Sequence, residues 1–318
     1  VSNSALITGI SGQDGSYLAE YLLSLGYDVH GVVRRNSVPE YQTGRLSNII
    51  DDITLYYGDI TDPHSLEEAV LKSNPNEVYN LAAQSHVRIS FDIPKYTLDV
   101  NGTCVVNLLE IIRKHAPEAK FYQASSSEMF GVCVDDDDKQ RETTPMHPTS
   151  PYGCAKLMSY SAVRHYRRAY GLHVTNGILF NHTSRRRGSN FVESKIVNTA
   201  IAIKDGKCGK LVLGNMDSYR DWGFSADYVK AMHLMLQQES PDDFVIATGK
   251  TRSVRDLCDI VFTKLDMDYR DFVVQDERYM RPEELPYLCG DASKAESALG
   301  WHPETPFDQV IEDMIWRR

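Results

Sequence analysis

No stretch of this chain approaches the ~18 consecutive apolar residues that a membrane-spanning helix requires, so no transmembrane segment is expected. Its six cysteines, at 104, 133, 154, 208, 258 and 289, form no C-x-x-C pair and stand beside no histidine at zinc spacing. No metal is expected, and the cysteines read as reduced, mostly buried thiols. Basic charge is also short: 34 Lys and Arg against 44 Asp and Glu leave a net charge of −10, the wrong sign for nucleic acid or an anionic membrane. The chain has no internal repeat, no long linker, and no charged-then-apolar leader before Ala5-Leu6-Ile7-Thr8-Gly9, which points to a cytoplasmic protein. Asp135–Asp138 reads as a solvated loop tip.

What remains is 318 residues, 42% hydrophobic and 25% charged, enough for a large core or two domains. Short apolar runs alternate with helical patterns. Strands are predicted at Ala5–Thr8, Asp28–Val33, Ile53–Tyr57, Glu77–Leu81, Lys120–Ala124 and Val174–Leu179. Helices are predicted at Gly15–Leu25, Pro63–Leu71, Tyr96–His115 and Tyr152–Tyr170. That alternation predicts a Rossmann-like, doubly wound parallel sheet over residues 1–180. Residues 181–318 read as a smaller α/β substrate-binding cap with segments interleaved. Its helices are predicted at Phe191–Lys204, Ala226–Gln238, Val254–Leu265 and Phe307–Trp316, with strands at Leu211–Leu213 and Phe244–Ala247.

Gly9-Ile10-Ser11-Gly12-Gln13-Asp14-Gly15 lies between the first strand and the first helix. Glycines there allow a tight turn, close approach of backbone to a pyrophosphate, and a helix N-terminus with free N–H groups. The second strand ends in Arg34-Arg35-Asn36-Ser37, where an NAD site usually places an acid. Guanidinium suits a 2′-phosphate, so NADP is the expected cofactor. Asp59 and Ile60 follow the third strand. Leu81, Ala83, Gln84 and Ser85 follow the fourth.

Tyr152 and Lys156 stand four apart on one predicted helix. A neighbouring ammonium is expected to bring the phenol from ~10 toward neutrality, making it a base. Ser126, after the fifth strand, is placed to hydrogen-bond a reacting hydroxyl. Glu128 adds a carboxylate for removing a carbon acid's proton, or alternatively caps its own loop.

Together these residues resemble the extended short-chain dehydrogenase/reductase family of nucleotide-sugar enzymes, and within it the members that dehydrate GDP-mannose. The resemblance is carried by Thr8–Leu18, Gly31–Arg35, Tyr79–Val87 and Tyr122–Gly131. Gly177-Ile178-Leu179-Phe180-Asn181-His182, Arg220-Asp221-Trp222-Gly223 and Arg281-Pro282-Glu283-Glu284 carry it further. It implies hydride transfer from C4 of the sugar to NADP and back to C6, with Tyr152 as base and Lys156 tuning it. Glu128 would take the C5 proton, and Ser126 and Glu128 would assist water loss from C6. It also implies that Tyr96, His182 and Arg187 join the cofactor site. Ser85, Ser126, Glu128, Asn181, Lys195, Arg220, Arg281 and Glu284 would hold a GDP-sugar, in a homodimer or homotetramer.

The chain departs from that pattern at Ser126 (usually Thr), at Thr183 and Arg185 (usually Glu and Pro), and at Glu193 and Ser194 (usually Thr and Arg). A GDP-heptose substrate, or a 4-reductase or 4-epimerase reaction using the same Tyr/Lys pair, therefore stays open. Glu128 speaks for elimination, because exchange at C4 needs no carboxylate at C5.

Overall fold

The structure, a computed structural model, describes residues 3–35 and 43–316. Asn36 and Ser37 lie outside the described residues. The chain is built on a seven-stranded parallel sheet. Its strands are β1 (Ser4–Thr8), β2 (Asp28–Val33), β3 (Ile53–Tyr57), β4 (Glu77–Asn80), β5 (Lys120–Ser126), β6 (Val174–Leu179) and, later in the chain, β10 (Asp243–Ile246). The spatial order is β10-β6-β5-β4-β1-β2-β3. Strand order reverses at β1, where β2 lies on one side and β4 on the other, opening a crevice at the C-terminal strand ends.

Both faces of the sheet are covered, and the pleat shows why. Ala5 and Ile7 point into a core with α1 (Gln13–Ser24) and α6 (Ser225–Leu236). Leu6 between them points into a second core with α2 (Pro63–Ser73) and α3 (Cys104–His115). Local chemistry sets the helix ends. Asp62 accepts from His64 N at 3.2 Å ahead of Pro63, and Asn74 closes α2 at φ 41°. Ser150 caps α4 (Pro151–Tyr170), accepting from Gly153 N at 3.0 Å, and Gly171 ends it at φ 67°.

The predicted helix Tyr96–His115 is interrupted. One turn spans Pro94–Leu98, a π-helical stretch covers Asp99–Thr103, and α3 begins at Cys104. Within that bulge Asn101 exchanges two hydrogen bonds with the Gln84 backbone, tying the helix to the loop after β4.

Beyond residue 180 a second layer forms around α5 (Val192–Lys204), α7 (Val254–Lys264) and α8 (Phe307–Trp316). Trp222, 1% exposed, is its largest anchor and stacks on Phe307. Three short strands make a small sheet. In it β7 (Asn181–Thr183) runs parallel to β9 (Tyr219–Phe224), and β9 runs antiparallel to β11 (Thr251–Ser253). A two-stranded parallel pair joins β8 (Leu211–Leu213) to β12 (Val273–Gln275). The chain returns to the central sheet through α6 and β10, so the two layers are interleaved along the sequence.

Of the cysteines, Cys104, Cys258 and Cys289 are buried, whereas Cys154 and Cys208 are exposed and Cys133 lies between. The acidic run is not simply solvated: Arg141 grips Asp135 and Asp137 and reaches Asp291. No helix among the described residues is long and apolar enough to cross a membrane.

Candidate active site

A cleft of about 720 Å³ opens at the C-terminal edge of the sheet, between β1, β4, β5 and the second layer. Its floor starts at the glycine turn. Gly9 takes φ +70°, and a Cβ at Gly15 would lie 2.3 Å from the Gly9 carbonyl oxygen, so α1 seats directly on the turn. No side chain among the described residues caps α1 at Gly12, which leaves its first-turn N–H groups for an anion. Gln13, Gly12 and the two other glycines form this turn without lining the cleft, while Asp14 lines it. Gln13 is held by Ser184, whose hydroxyl donates to it at 2.9 Å. Asp14 pairs with His182 Nε2 at 2.8 Å, and His182 Nδ1 meets the Phe180 carbonyl at 2.8 Å. Burial works to raise the Asp14 carboxyl, but the charge and hydrogen bond of His182 and the charge of Arg187 outweigh it and bring it down to about 2.

The reactive cluster comes from β5 and α4. Ser126 ends β5, and its Oγ accepts from Glu128 N at 3.2 Å, fixing the short turn that carries Glu128. Glu128 is 6% exposed. Its Oε1 lies 3.4 Å from Arg281, and its Oε2 is buried with no hydrogen-bond partner among the described residues. Glu128 lines the cleft, so the partner this oxygen lacks is one that a bound ligand can supply. Arg220 reaches the same place from β9; burial brings its guanidinium down to about 10, with Glu128 acting in the opposite direction. Arg281 is anchored in turn by its own N–H, which donates to Glu284 at 2.8 Å. Lys195 sits 4.3 Å over the Tyr279 ring, and Asn181, Leu81, Ala83 and Ser85 complete the expected lining.

The Tyr152–Lys156 pair is placed as expected, but its electrostatics are not. Lys156 donates to the Ala124 carbonyl at 2.7 Å, with its Nζ 5.7 Å from the centre of the Tyr152 ring. Burial brings Lys156 down to about 8. Burial also raises Tyr152 to about 12, against the pull of the Ser126 hydrogen bond and of Arg187. The expected drop toward neutrality is therefore absent from the protein itself, because desolvation of the phenolate exceeds what these charges return.

Several expected cofactor residues lie away from the cleft wall. Arg34 and Arg35 are exposed just past the end of β2, and Asp59 follows β3 with its carboxylate taken by Thr61. Ile60 packs its side chain in the core. The Gln84 side chain is committed to His86 and Thr97, and Tyr96 stands 42% exposed on its short helix. Sequence reasoning gave no role to His86, Asn190, Gly214 and Tyr279, which also line the cleft. A weak signal did exist for Trp222, which alternates with Arg220 along β9 and so shares its face.

Residues 6–314 match the GDP-mannose 4,6 dehydratase family. The chain belongs to that family. It is 49% identical to GDP-mannose 4,6 dehydratase 2 of Arabidopsis thaliana, over 98% of this chain and 85% of the relative. Among solved structures, the dTDP-glucose 4,6-dehydratase of Bacillus anthracis in complex with NAD superposes with a TM-score of 0.85 at 22% identity, covering 99% of this chain and 96% of that one. RMD from Pseudomonas aeruginosa complexed with NADPH gives 0.81 at 23%, covering 98% and 96%. At these identities the two structures speak for the fold.

Proposed function

We propose that this cleft carries out its family's reaction, the dehydration of GDP-mannose to GDP-4-keto-6-deoxymannose, with NADP as a retained cofactor. The observation that carries the reading is the buried Glu128 Oε2, unpartnered and on the wall shared with Ser126 and Tyr152. A 4-epimerase or 4-reductase has no use for that carboxylate.

A nicotinamide dinucleotide, when bound, supplies the acceptor and donor of hydride and a positive charge that favours the phenolate of Tyr152. The glycine turn and the uncapped N-terminus of α1 fit its pyrophosphate. The fold is found with NAD in one neighbour and NADPH in another, so the choice falls to local residues. Arg34 and Arg35 past β2 favour the 2′-phosphate.

Tyr152 takes the proton of the C4 hydroxyl, oriented by Ser126, and Lys156 holds the helix face in place through the Ala124 carbonyl. The C4 ketone acidifies the C5 proton, which Glu128 removes. Glu128, now protonated, delivers that proton to the departing C6 hydroxyl with Ser126 alongside; the balance would close with hydride returned to C6 and a proton taken up at C5, equal in number to the one Tyr152 accepted. Arg220, Arg281 and Lys195 hold the diphosphate and Glu284 the ribose, with Asn181 at the sugar. In this reading residues 1–180 carry the dinucleotide and 181–318 the nucleotide sugar, with β10 returning to the sheet. The enzyme works as a cytoplasmic homodimer or homotetramer.

One experiment tests the reading. Purified protein given GDP-mannose and no added cofactor is expected to form a product lighter by one water, and to release NADP when denatured. An unchanged mass with an epimerised or oxidised sugar overturns the reaction, and release of NAD overturns the cofactor.

A further inference from the structure

Glu193, the second residue of α5, is 1% exposed yet borders the cleft. A carboxylate that deeply buried must be paired. Its Oε1 accepts from Trp222 Nε1 at 2.9 Å. Its Oε2 stands 3.9 Å from Arg187 Nε, too far for a hydrogen bond, and that Nε is buried with no hydrogen-bond partner among the described residues. The contact is therefore one of charge. Arg187 is held in other ways as well: its guanidinium carbon lies 3.7 Å from the centre of the Phe191 ring, and its carbonyl accepts from Ser194 Oγ at 3.1 Å. Trp222 is itself clamped on Phe307, so the oxygen that it anchors cannot wander.

We propose that Glu193 is a positioning residue for the reaction: it offsets part of the charge of Arg187, a cation on the cleft wall that Tyr152 shares, and so shifts the pH at which the phenol gives up its proton. The inference rests on the reading of Tyr152 as the base. Four charged groups share the cleft wall with that phenol. Asp14 comes from α1, Glu128 from the turn after β5, Lys156 from the same helix and Arg187 from the loop after β7. The two carboxylates oppose ionisation of Tyr152, and Arg187 favours it. Asp14 is already paired with His182, Glu128 faces Arg281 and Arg220, and Lys156 donates a hydrogen bond to the Ala124 carbonyl, keeping its charge 5.7 Å from the ring centre. Of the two cations, Lys156 is set against a neutral carbonyl, whereas Arg187 has a carboxylate beside it, Glu193 at 3.9 Å. Both residues of this control lie outside the Tyr–Lys helix. Glu193 is also one of the positions at which the chain departs from the pattern it otherwise follows.

The test is the pH dependence of kcat/KM for water loss from GDP-mannose, together with titration of the phenolate absorbance that disappears in Tyr152→Phe. Glu193→Gln keeps an oxygen for Trp222 and removes the charge, while Phe191 keeps Arg187 in place. Its acid limb and its phenolate titration are expected about one pH unit lower, about a tenfold gain in rate on the acid side. Arg187→Gln is expected to move both in the opposite direction. This second arm does not depend on how well the Glu193 variant folds. An unmoved or raised limb in Glu193→Gln, or an unmoved one in Arg187→Gln, overturns the proposal. If Tyr152→Phe still dehydrates GDP-mannose, the base assignment itself fails. If Tyr152→Phe is inactive and the Glu193 profile does not move, only the role of Glu193 fails.

Discussion

Replacing Glu128 with glutamine separates the two halves of the chemistry. The amide has the shape of the carboxylate, so the turn fixed by Ser126 is retained and the cleft keeps its volume. What is lost is a base whose Oε2 has no competing partner among the described residues. General-base catalysis of this kind is worth roughly 10²–10⁴-fold, which corresponds to ~3–5.5 kcal/mol in barrier height. Dehydration should slow by that factor. Oxidation at C4 uses Tyr152 and Ser126 and should persist. Binding of the diphosphate should not weaken, because Arg281, 3.4 Å from Glu128, and Arg220 lose a carboxylate that competes with phosphate for them. The expected signature is a lower kcat with KM unchanged or reduced. Two readouts separate the steps: loss of one water by mass spectrometry, and reduced-nicotinamide absorbance in a single turnover. Normal water loss in Glu128→Gln would refute the role of the carboxylate. A block in both steps would refute the division of labour between Glu128 and Tyr152.

Two further outcomes follow from the glycine turn and its surroundings. Gly15→Ala sets a Cβ 2.3 Å from the Gly9 oxygen and 2.6 Å from the Ile10 Cα. These are backbone atoms that cannot step aside, so a cost of ~1–3 kcal/mol and a lower Tm are expected, and an unchanged thermal melt refutes the packing argument. Asp14 is held at about 2 against an ordinary 3.8, chiefly by His182 and Arg187 overcoming burial. Because its folded value is depressed, its stabilising contribution is full above about pH 4 and is lost as pH falls toward 2, roughly 2 kcal/mol in all. Urea unfolding of Asp14→Asn and the parent protein should therefore differ most near pH 7 and converge by about that amount at pH 2, and a gap independent of pH refutes it.

The parts of the molecule that could be read from the sequence are those whose physics is local. Ala5-Leu6-Ile7 is a continuous apolar run because β1 is buried on both faces, and the glycines that follow it have no other structural use at that spacing. The same holds for Ser126, Glu128, Tyr152 and Lys156, each at a strand or helix end that its neighbours announce. Legibility fails where partners are distant. Asn181-His182-Thr183 does not look like a strand, and becomes one only by pairing with Trp222-Gly223-Phe224. Gly214 and Tyr279 line the cleft because β8 and β12, three residues each, pair in parallel across a long loop. The ionisation of Tyr152 shows the limit most clearly. Lys156 stands on the expected face and donates to the Ala124 carbonyl, but burial raises the phenol, and what pulls against burial includes the Ser126 hydrogen bond and Arg187 from another layer. Spacing along a helix fixes which side chains can meet. The sign of a pKa shift depends on what else is buried with them, and that is decided by the tertiary fold.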